Sequence, residues 1–338
     1  NVDMLYRFFR SVIFLLPPEF SHHFILKILK FVNFISLLKA KDIKNEKPVS
    51  IKGLNFKNRV GLAAGFDKNA EHIEIFENLG FGFLEIGTVT PKPQPGNKKP
   101  RIYRDPKNEA LINSFGFNNV GIYKFIDNIK KSNVNLIIGI NIGKNAMTAY
   151  EDSINDYIAC MREAYIYADY LTVNISSPNT KNLRDLHNIS DLRIFIKSLM
   201  IEKNKLKKKL NKSVPIFLKL SPDIEEPKIK PIIDLLIANS IDGVIITNTT
   251  IDKSKISKHY QHLPGGVSGA PLKIKSEQML SKVKKISKNK LLIISVGGIM
   301  TADDALKRIR MGADLVQIYT GLIYQGPSLV NEIRQKLS

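Results

Sequence analysis

One cysteine, Cys160, and no tryptophan occur among the 338 residues. A single thiol closes no intramolecular disulfide and builds no cysteine-based zinc site, so a reducing, cytosol-facing compartment is expected. Neither apolar stretch near the amino terminus reaches the roughly 18 uninterrupted apolar residues of a membrane-spanning helix. Also missing are a Gly-x-Gly-x-x-Gly after the first strand-like run, paired carboxylates at the strand ends, a Ser-His-Asp order and a metal-ligand cluster. Those absences argue against a doubly wound dinucleotide-binding sheet, a serine hydrolase and a metalloenzyme. Acidic residues are scarce: 51 Lys+Arg against 31 Asp+Glu leave a formal charge of +20. That excess favours anionic partners, whether phosphorylated ligands, nucleic acid or an acidic membrane surface, without choosing among them. With 43% hydrophobic residues, 20 Gly and 16 Pro the chain is globular, neither disordered nor collagen-like. It opens on Asn1 rather than Met, as expected if a short piece precedes it.

Residues 1–45 differ in texture from residues 46–338 and read as a separate segment. The apolar run over residues 6–16 stops at Pro17-Pro18, and a second extends over residues 24–38. In the second, Lys27, Lys30, Asn33 and Ser36 recur every third position and leave a wide apolar face carrying Ile28, Phe31, Ile35 and Leu38. The pattern predicts a helical hairpin in which one of the two prolines starts the second helix, because the first turn has no use for the N–H that proline lacks. So apolar a hairpin either lies on a membrane or roofs a hydrophobic tunnel, with its lysines at headgroup level, or packs on the main domain as core. No small-residue cleavage site follows, and the segment continues into a lysine-rich linker over residues 39–47, unlike a signal peptide.

In the body of the chain, short apolar runs alternate with longer amphipathic stretches. The runs cover residues 60–64, 83–87, 136–140, 170–174, 215–219, 243–247, 291–295 and 315–319. Continuous β-branched runs predict strands buried on both faces, as in a parallel sheet, and the stretches between them are long enough for crossover helices. Eight such units predict an α/β fold, a (β/α)8 TIM barrel preceded by the hairpin.

Amides, hydroxyls, lysines and glycines gather just downstream of these runs, at Lys68, Asn141, Lys144, Asn145, Asn174, Ser177, Asn179, Lys219 and Asn248 among others. Parallel strands bring those ends to one rim, the face where active sites of this fold sit. Gly297-Gly298 and Gly321 follow the seventh and eighth runs, where barrels bind phosphate because glycine lets backbone N–H groups come close. Spacing alone does not distinguish a flavin, a nucleotide or a sugar phosphate. Two connections are long, residues 89–119 and 177–188, and the second, polar with a mobile middle, is a candidate lid. His259 and His262 lie on a lysine-rich loop without acidic partners and read as solvated rather than metal-binding. Lys203, Lys205, Lys207, Lys208, Lys209 and Lys212 read as a solvated helix face, and Cys160 as a structural thiol on a helix. A hydroxyl flanked by amides between Asn174 and Asn179, with two strand-end lysines, suits a planar, imide-like anion.

Five separated segments carry a more specific likeness: residues 63–68 (Ala-Ala-Gly-Phe-Asp-Lys), 87–97 (Gly-Thr-Val-Thr-Pro-Lys-Pro-Gln-Pro-Gly-Asn), 141–145 (Asn-Ile-Gly-Lys-Asn), 174–180 (Asn-Ile-Ser-Ser-Pro-Asn-Thr) and 247–250 (Thr-Asn-Thr-Thr). In sequence and order they resemble the signature segments of dihydroorotate dehydrogenases. The resemblance implies FMN-dependent oxidation of dihydroorotate to orotate in pyrimidine synthesis, with Ser177 as the catalytic base. A serine there, with an amino-terminal helical extension, is the pattern of the membrane-associated class that passes electrons to quinone, whereas the cytosolic class uses cysteine.

The same resemblance implies orotate contacts at Lys68, Asn113, Asn174, Asn179, Asn248 and Thr249, with Ser114, Phe115, Gly116 and Phe117 beside them. It implies flavin contacts at Ala64, Gly65, Phe66, Asp67, Lys68, Thr88, Asn141, Asn174, Lys219 and Thr247, and phosphate contacts at Gly269, Gly298, Tyr319 and Thr320. It further implies a monomer, peripheral on the cytoplasmic side of a bacterial cell membrane, with no nucleic acid and no metal among its partners. Two other readings compete: a tRNA dihydrouridine synthase, which needs a catalytic cysteine and an RNA-binding domain not evident here, and a non-catalytic membrane-surface protein.

Overall fold

All eight apolar runs form parallel strands that close on one another. The computed structural model describes residues 2–35, 39–180 and 183–338, and of residues 2–5, 7 and 8 the backbone alone. The barrel strands are Val60–Leu62, Phe83–Val89, Ile137–Ile142, Tyr170–Asn174, Ile216–Leu220, Gly243–Ile246, Leu292–Val296 and Leu315–Ile318, paired in chain order with the last returning to the first through Val316 opposite Val60. Each is buried on both faces, which is why the runs carry little polar alternation. Helices Ile73–Asn78, Ile122–Lys131, Ser153–Ala164, Ile189–Leu210, Glu226–Ala238, Lys273–Ser287, Ala302–Arg310 and Ser328–Leu337 occupy the crossovers.

Aromatic rings fill the lower barrel. Phe56, Phe83, Tyr170 and Phe217 meet edge to face, with centroids 5.1 to 6.5 Å apart. Gly61, Gly139 and Gly243 on neighbouring strands make room, since a Cβ at any of them would come within 3.0 Å of the Phe83, Tyr170 or Phe217 ring respectively. Side chains two residues further along a strand point the same way, so Glu85, Lys219 and Gln317 form a polar layer directly above Phe83, Phe217 and Leu315.

Two small sheets lie outside the eight runs. A hairpin of Val49–Ile51 and Leu54–Phe56 closes the floor with Phe56. Ile102–Asp105, Ala110–Asn113 and Gly266–Gly269 form an antiparallel three-stranded sheet beside the rim. Residues 89–119 are therefore not one long loop: two strands of that sheet lie inside it, and their partner arrives from beyond the sixth barrel strand. In the 177–188 connection, Leu183–His187 is a buried 3-10 turn, while Lys181 and Asn182 at its middle lie outside the described residues.

The amino-terminal segment folds as two helices, Val2–Ile13 and Pro18–Phe34, with Pro18 in the first turn of the second. Polar ties dock the hairpin on the barrel: the Tyr6 hydroxyl donates to Ile323 O at 2.7 Å, Arg104 donates to Phe14 O and Leu16 O, and Arg101 forks onto Glu19. Its other side leaves Leu15, Phe20, Phe31 and Phe34 between 56% and 85% exposed. One face thus packs as core and the other faces outward; Leu38, expected on the apolar face, lies outside the described residues. No helix among the described residues is long and apolar enough to cross a membrane. Within the lysine run, Lys203 departs from the solvated reading: it is buried and ion-paired to Asp242 at 2.6 Å, while Lys205, Lys207, Lys208 and Lys209 face solvent. Cys160 is buried, and His259 and His262 are exposed.

The aromatic layer leaves Gly139 no slack. Gly139→Ala is expected to lower the unfolding free energy by about 2–3 kcal/mol, as overpacking does, read from the denaturant midpoint. An unchanged midpoint would show that the Tyr170 ring can yield.

Candidate active site

Above the polar layer the rim opens into a cleft of about 990 Å³, its mouth included, and Ser177 stands on its wall, 6% exposed. The Ser177 hydroxyl accepts from Asn179 N at 3.2 Å, a turn that points Oγ into the cleft. Four asparagines knit the surrounding loops. Asn248 Nδ2 donates to Ser176 Oγ at 3.0 Å and to Asn174 Oδ1 at 3.3 Å, and Asn179 Nδ2 donates to Asn113 O at 3.1 Å. Phe117 lies across the cleft with φ +54°, the left-handed region. Gln94 and Asn119 side chains both donate to its carbonyl, at 3.0 and 2.7 Å, and hold it in a conformation that costs a bulky residue about 1–2 kcal/mol.

The asparagine chain descends into the barrel with one polarity. Asn174 Nδ2 donates to Thr88 Oγ1 at 3.2 Å, Thr88 donates to Asn141 Oδ1 at 2.5 Å, and Asn141 Nδ2 donates to Glu85 Oε1 at 2.7 Å. Glu85 also receives Gln317 Nε2 at 2.8 Å and the Tyr170 hydroxyl at 3.4 Å, and faces Lys219 Nζ at 3.7 Å.

Of the residues named from sequence, Ala64, Gly65, Lys68, Thr88, Asn113, Phe115, Gly116, Phe117, Asn174, Ser177 and Asn179 all line the cleft. So do Lys219, Thr247, Asn248, Thr249, Gly269, Gly298, Tyr319 and Thr320 from the later loops. Four of the named residues stand elsewhere. Asn141 is buried beneath Thr88, Ser114 lies behind the wall with its N–H on Arg101 O, and Phe66 and Asp67 turn away into a neighbouring cavity, so four in all do not reach the cleft. Asp67 there caps the next turn, accepting from Glu71 N and His72 N at 2.9 and 2.8 Å; burial pushes its carboxyl up.

Other groups at the site carry no motif. Glu85 and Gln317 sit mid-strand, and their signal is a charged or amide residue inside an otherwise apolar run. Arg184 donates to Ser176 O at 3.0 Å and Thr249 O at 2.9 Å, tying both rim loops to Asp223 at 2.9 Å. Arg308, fully buried, donates to Gly297 O at 2.8 Å and Lys273 O at 3.1 Å beneath the glycine loop. Desolvation lowers its guanidinium to about 10.

The neighbouring cavity, about 1270 Å³ with its mouth, lies between the amino-terminal helices and the barrel. Lys68, Phe115 and Tyr319 line both spaces and form the wall between them. Lys68 Nζ donates to Gly65 O at 2.8 Å and stands 4.0 Å from the Phe115 ring centroid; burial lowers its ammonium to about 8. His22, from the second helix, reaches Phe66 O at 3.0 Å and is pushed down to about 3, first by desolvation and then by the Lys68 charge. The imidazole is therefore neutral and donates through Nε2.

A family model described as dihydroorotate dehydrogenase matches residues 47–338. The chain belongs to the dihydroorotate dehydrogenase family. It is 46% identical to the dihydroorotate dehydrogenase (quinone) of Neisseria meningitidis serogroup A over 335 residues, covering 99% of this chain and 100% of that protein. With the dihydroorotate dehydrogenase (quinone) of Nitrosomonas eutropha it shares 46% over 336 residues, covering 99% of this chain and 98% of the relative. The crystal structure of DHODH from Eimeria tenella in complex with ferulenol superposes with a TM-score of 0.85 at 37% identity, over 95% of this chain and 90% of that one. The alignments with the Neisseria and Nitrosomonas relatives take in the amino-terminal segment of this dihydroorotate dehydrogenase family member as well as the barrel.

Because the native pKa of His22 lies below its unfolded value, the stability it contributes is present above about pH 6.5 and lost as pH falls toward 3. Acidification from pH 7 to 5 is expected to loosen the hairpin first, raising amide exchange over residues 18–34 severalfold while barrel strands stay protected. His22→Phe should weaken this pH dependence, leaving the smaller share of His23, which burial also pushes down; equal pH dependence in that variant would assign it elsewhere.

Proposed function

We propose that this chain oxidises (S)-dihydroorotate to orotate with FMN as cofactor and a membrane quinone as electron acceptor, in pyrimidine synthesis. The observation that carries the reading is the cleft itself: a buried serine hydroxyl ringed by four side-chain amides, above a floor whose polar groups await a ligand. Thr247 Oγ1, Thr249 Oγ1 and Gln317 Oε1 are buried there with no protein partner. Orphaned buried polar atoms are costly, so a bound group that completes them fits better than an empty cleft.

A flavin mononucleotide fits that demand. Ala64, Gly65, Thr88, Lys219 and Thr247 would surround its ring and ribityl chain, with Asn141 orienting Thr88 from below. Gly269, Gly298, Tyr319 and Thr320 would hold the phosphate; at Gly298 a Cβ would strike the backbone of Lys273, so only glycine brings this loop so close. When bound, the flavin supplies the two-electron acceptor for the hydride that leaves C6 of the substrate. Ser177 Oγ takes the C5 proton. A hydroxyl is a weak base, so Ser177 must hand its own hydroxyl proton along a hydrogen-bonded exit as it takes the substrate's, and its burial with exclusion of bulk water by Phe117 and the neighbouring rim favours the transfer. Lys68 neutralises the substrate carboxylate, and Asn113, Asn174, Asn179 and Asn248 satisfy the donors and acceptors of its ring.

The hairpin, proposed as a functional segment over residues 1–45, gives the second cavity its purpose. Its exposed Leu15, Phe20, Phe31 and Phe34 form a surface for insertion at the membrane interface. A quinone entering between the helices would meet the shared wall of Phe115 and Tyr319. The protein would then act as a monomer, peripheral on the cytoplasmic face of a bacterial membrane.

Purified protein is expected to be yellow and to bleach anaerobically with dihydroorotate, then to regain colour with a soluble ubiquinone analogue but not with fumarate. Ser177→Ala should keep its colour and bleach about 10²–10⁴-fold more slowly; unimpaired bleaching would remove Ser177 from its role. Deleting residues 1–40 is expected to abolish quinone-dependent recovery while FMN remains bound. Full recovery in the truncated protein would defeat the assignment of the hairpin.

A further inference from the structure

Glu85 takes no part in the chemistry proposed above. It is fully buried and lies beneath the cleft rather than on its wall. Donors and a cation surround its carboxylate: Asn141 Nδ2 at 2.7 Å, Gln317 Nε2 at 2.8 Å, the Tyr170 hydroxyl at 3.4 Å and Lys219 Nζ at 3.7 Å. We propose that Glu85 is a positioning residue that fixes the polarity of the cofactor's floor and restrains the cofactor's affinity for electrons by offsetting the charge of Lys219. The proposal rests on the FMN reading.

Two arguments lead there. A carboxylate only accepts, so Asn141 must turn its Nδ2 down to Glu85 and its Oδ1 up to Thr88. Thr88 then donates to Asn141 and accepts from Asn174, and Asn174 is left with its Oδ1 for Asn248 and Ser176. Gln317, held by its Nε2, keeps Oε1 unpartnered at the cleft. The second argument is electrostatic. An ammonium beside a flavin favours the negative charge gained on reduction, and a carboxylate 3.7 Å from that ammonium cancels part of its field. Inside the barrel little solvent screens either charge. Replacing Glu85 by the isosteric amide removes the opposing charge and leaves Lys219 in place.

The test uses the flavin-loaded protein and sulfite, a nucleophile that bleaches oxidised flavins by forming an anionic adduct. Glu85→Gln is expected to bind sulfite about tenfold more tightly than wild type, with the midpoint potential raised by the corresponding ~30 mV for a two-electron couple. Tyr170→Phe removes one donor and keeps both charges, so its sulfite affinity should stay within about twofold of wild type. Unchanged or weaker sulfite binding in Glu85→Gln overturns the proposal, as does an equal shift in Tyr170→Phe. If Glu85→Gln does not retain flavin, Glu85→Asp decides: its shorter carboxylate draws back from Lys219, so about threefold tighter binding supports the proposal and no tightening overturns it. A wild-type protein that holds no flavin defeats the underlying FMN reading instead, whereas wild-type flavin that binds sulfite beside an unmoved Glu85→Gln defeats this inference alone.

Discussion

A single buried carboxylate anchors the hydrogen-bond chain beneath the cleft. Because Glu85 can only accept hydrogen bonds, Asn141, Thr88 and Asn174 have one consistent orientation, and Asn248 and Ser176 follow from it. Buried polar chains of this kind cooperate when every member is satisfied and become costly when one is not. The chain reaches from the centre of the barrel to the residue next to Ser177, so the polarity presented to a ligand is set well below the surface it touches.

That arrangement is possible because the barrel divides its interior by height. Aromatic rings and glycines complete the packing below, which leaves the layer of Glu85, Lys219 and Gln317 buried and fixed. Above it the strands end, and strand-end residues such as Thr88, Asn174 and Lys219 line the cleft together with residues of the rim loops. The loops are in turn pinned from outside: Arg184 and Asp223 join the Ser176 and Thr249 segments, and Arg308 holds the glycine loop. The amino-terminal helices add a second compartment instead of reshaping the first. Lys68, Phe115 and Tyr319 are shared by both cavities and stand as the wall between them.

Much of the barrel was legible from residue pattern. Runs buried on both faces have no competing periodicity, and each of the eight became a strand. The side sheet was not, because Ile102–Asp105 and Ala110–Asn113 are short and their partner Gly266–Gly269 lies far along the chain. Rim residues such as Asn174, Asn248 and Thr249 were legible from their place after the strands and from the family likeness. Phe66 and Asp67 show the limit of that approach: they adjoin Gly65 and Lys68, but a turn directs them into the second cavity. Arg184, Arg308 and His22 act through contacts with distant backbone carbonyls, and nothing in local spacing announces such partners.

The sequence by itself determined the repeating strand and helix units, the collection of amides and a serine at their downstream ends, and the apolar hairpin, because each is written in local periodicity and residue type. Only the tertiary structure decided which face of the hairpin packs, that two cavities share one wall, and that Glu85 lies within reach of Lys219, Gln317 and Tyr170. Those outcomes follow from closing eight strands into a ring, which brings residues from the second, fifth and eighth barrel strands into one layer and thereby sets charges and hydrogen bonds that no stretch of chain contains alone.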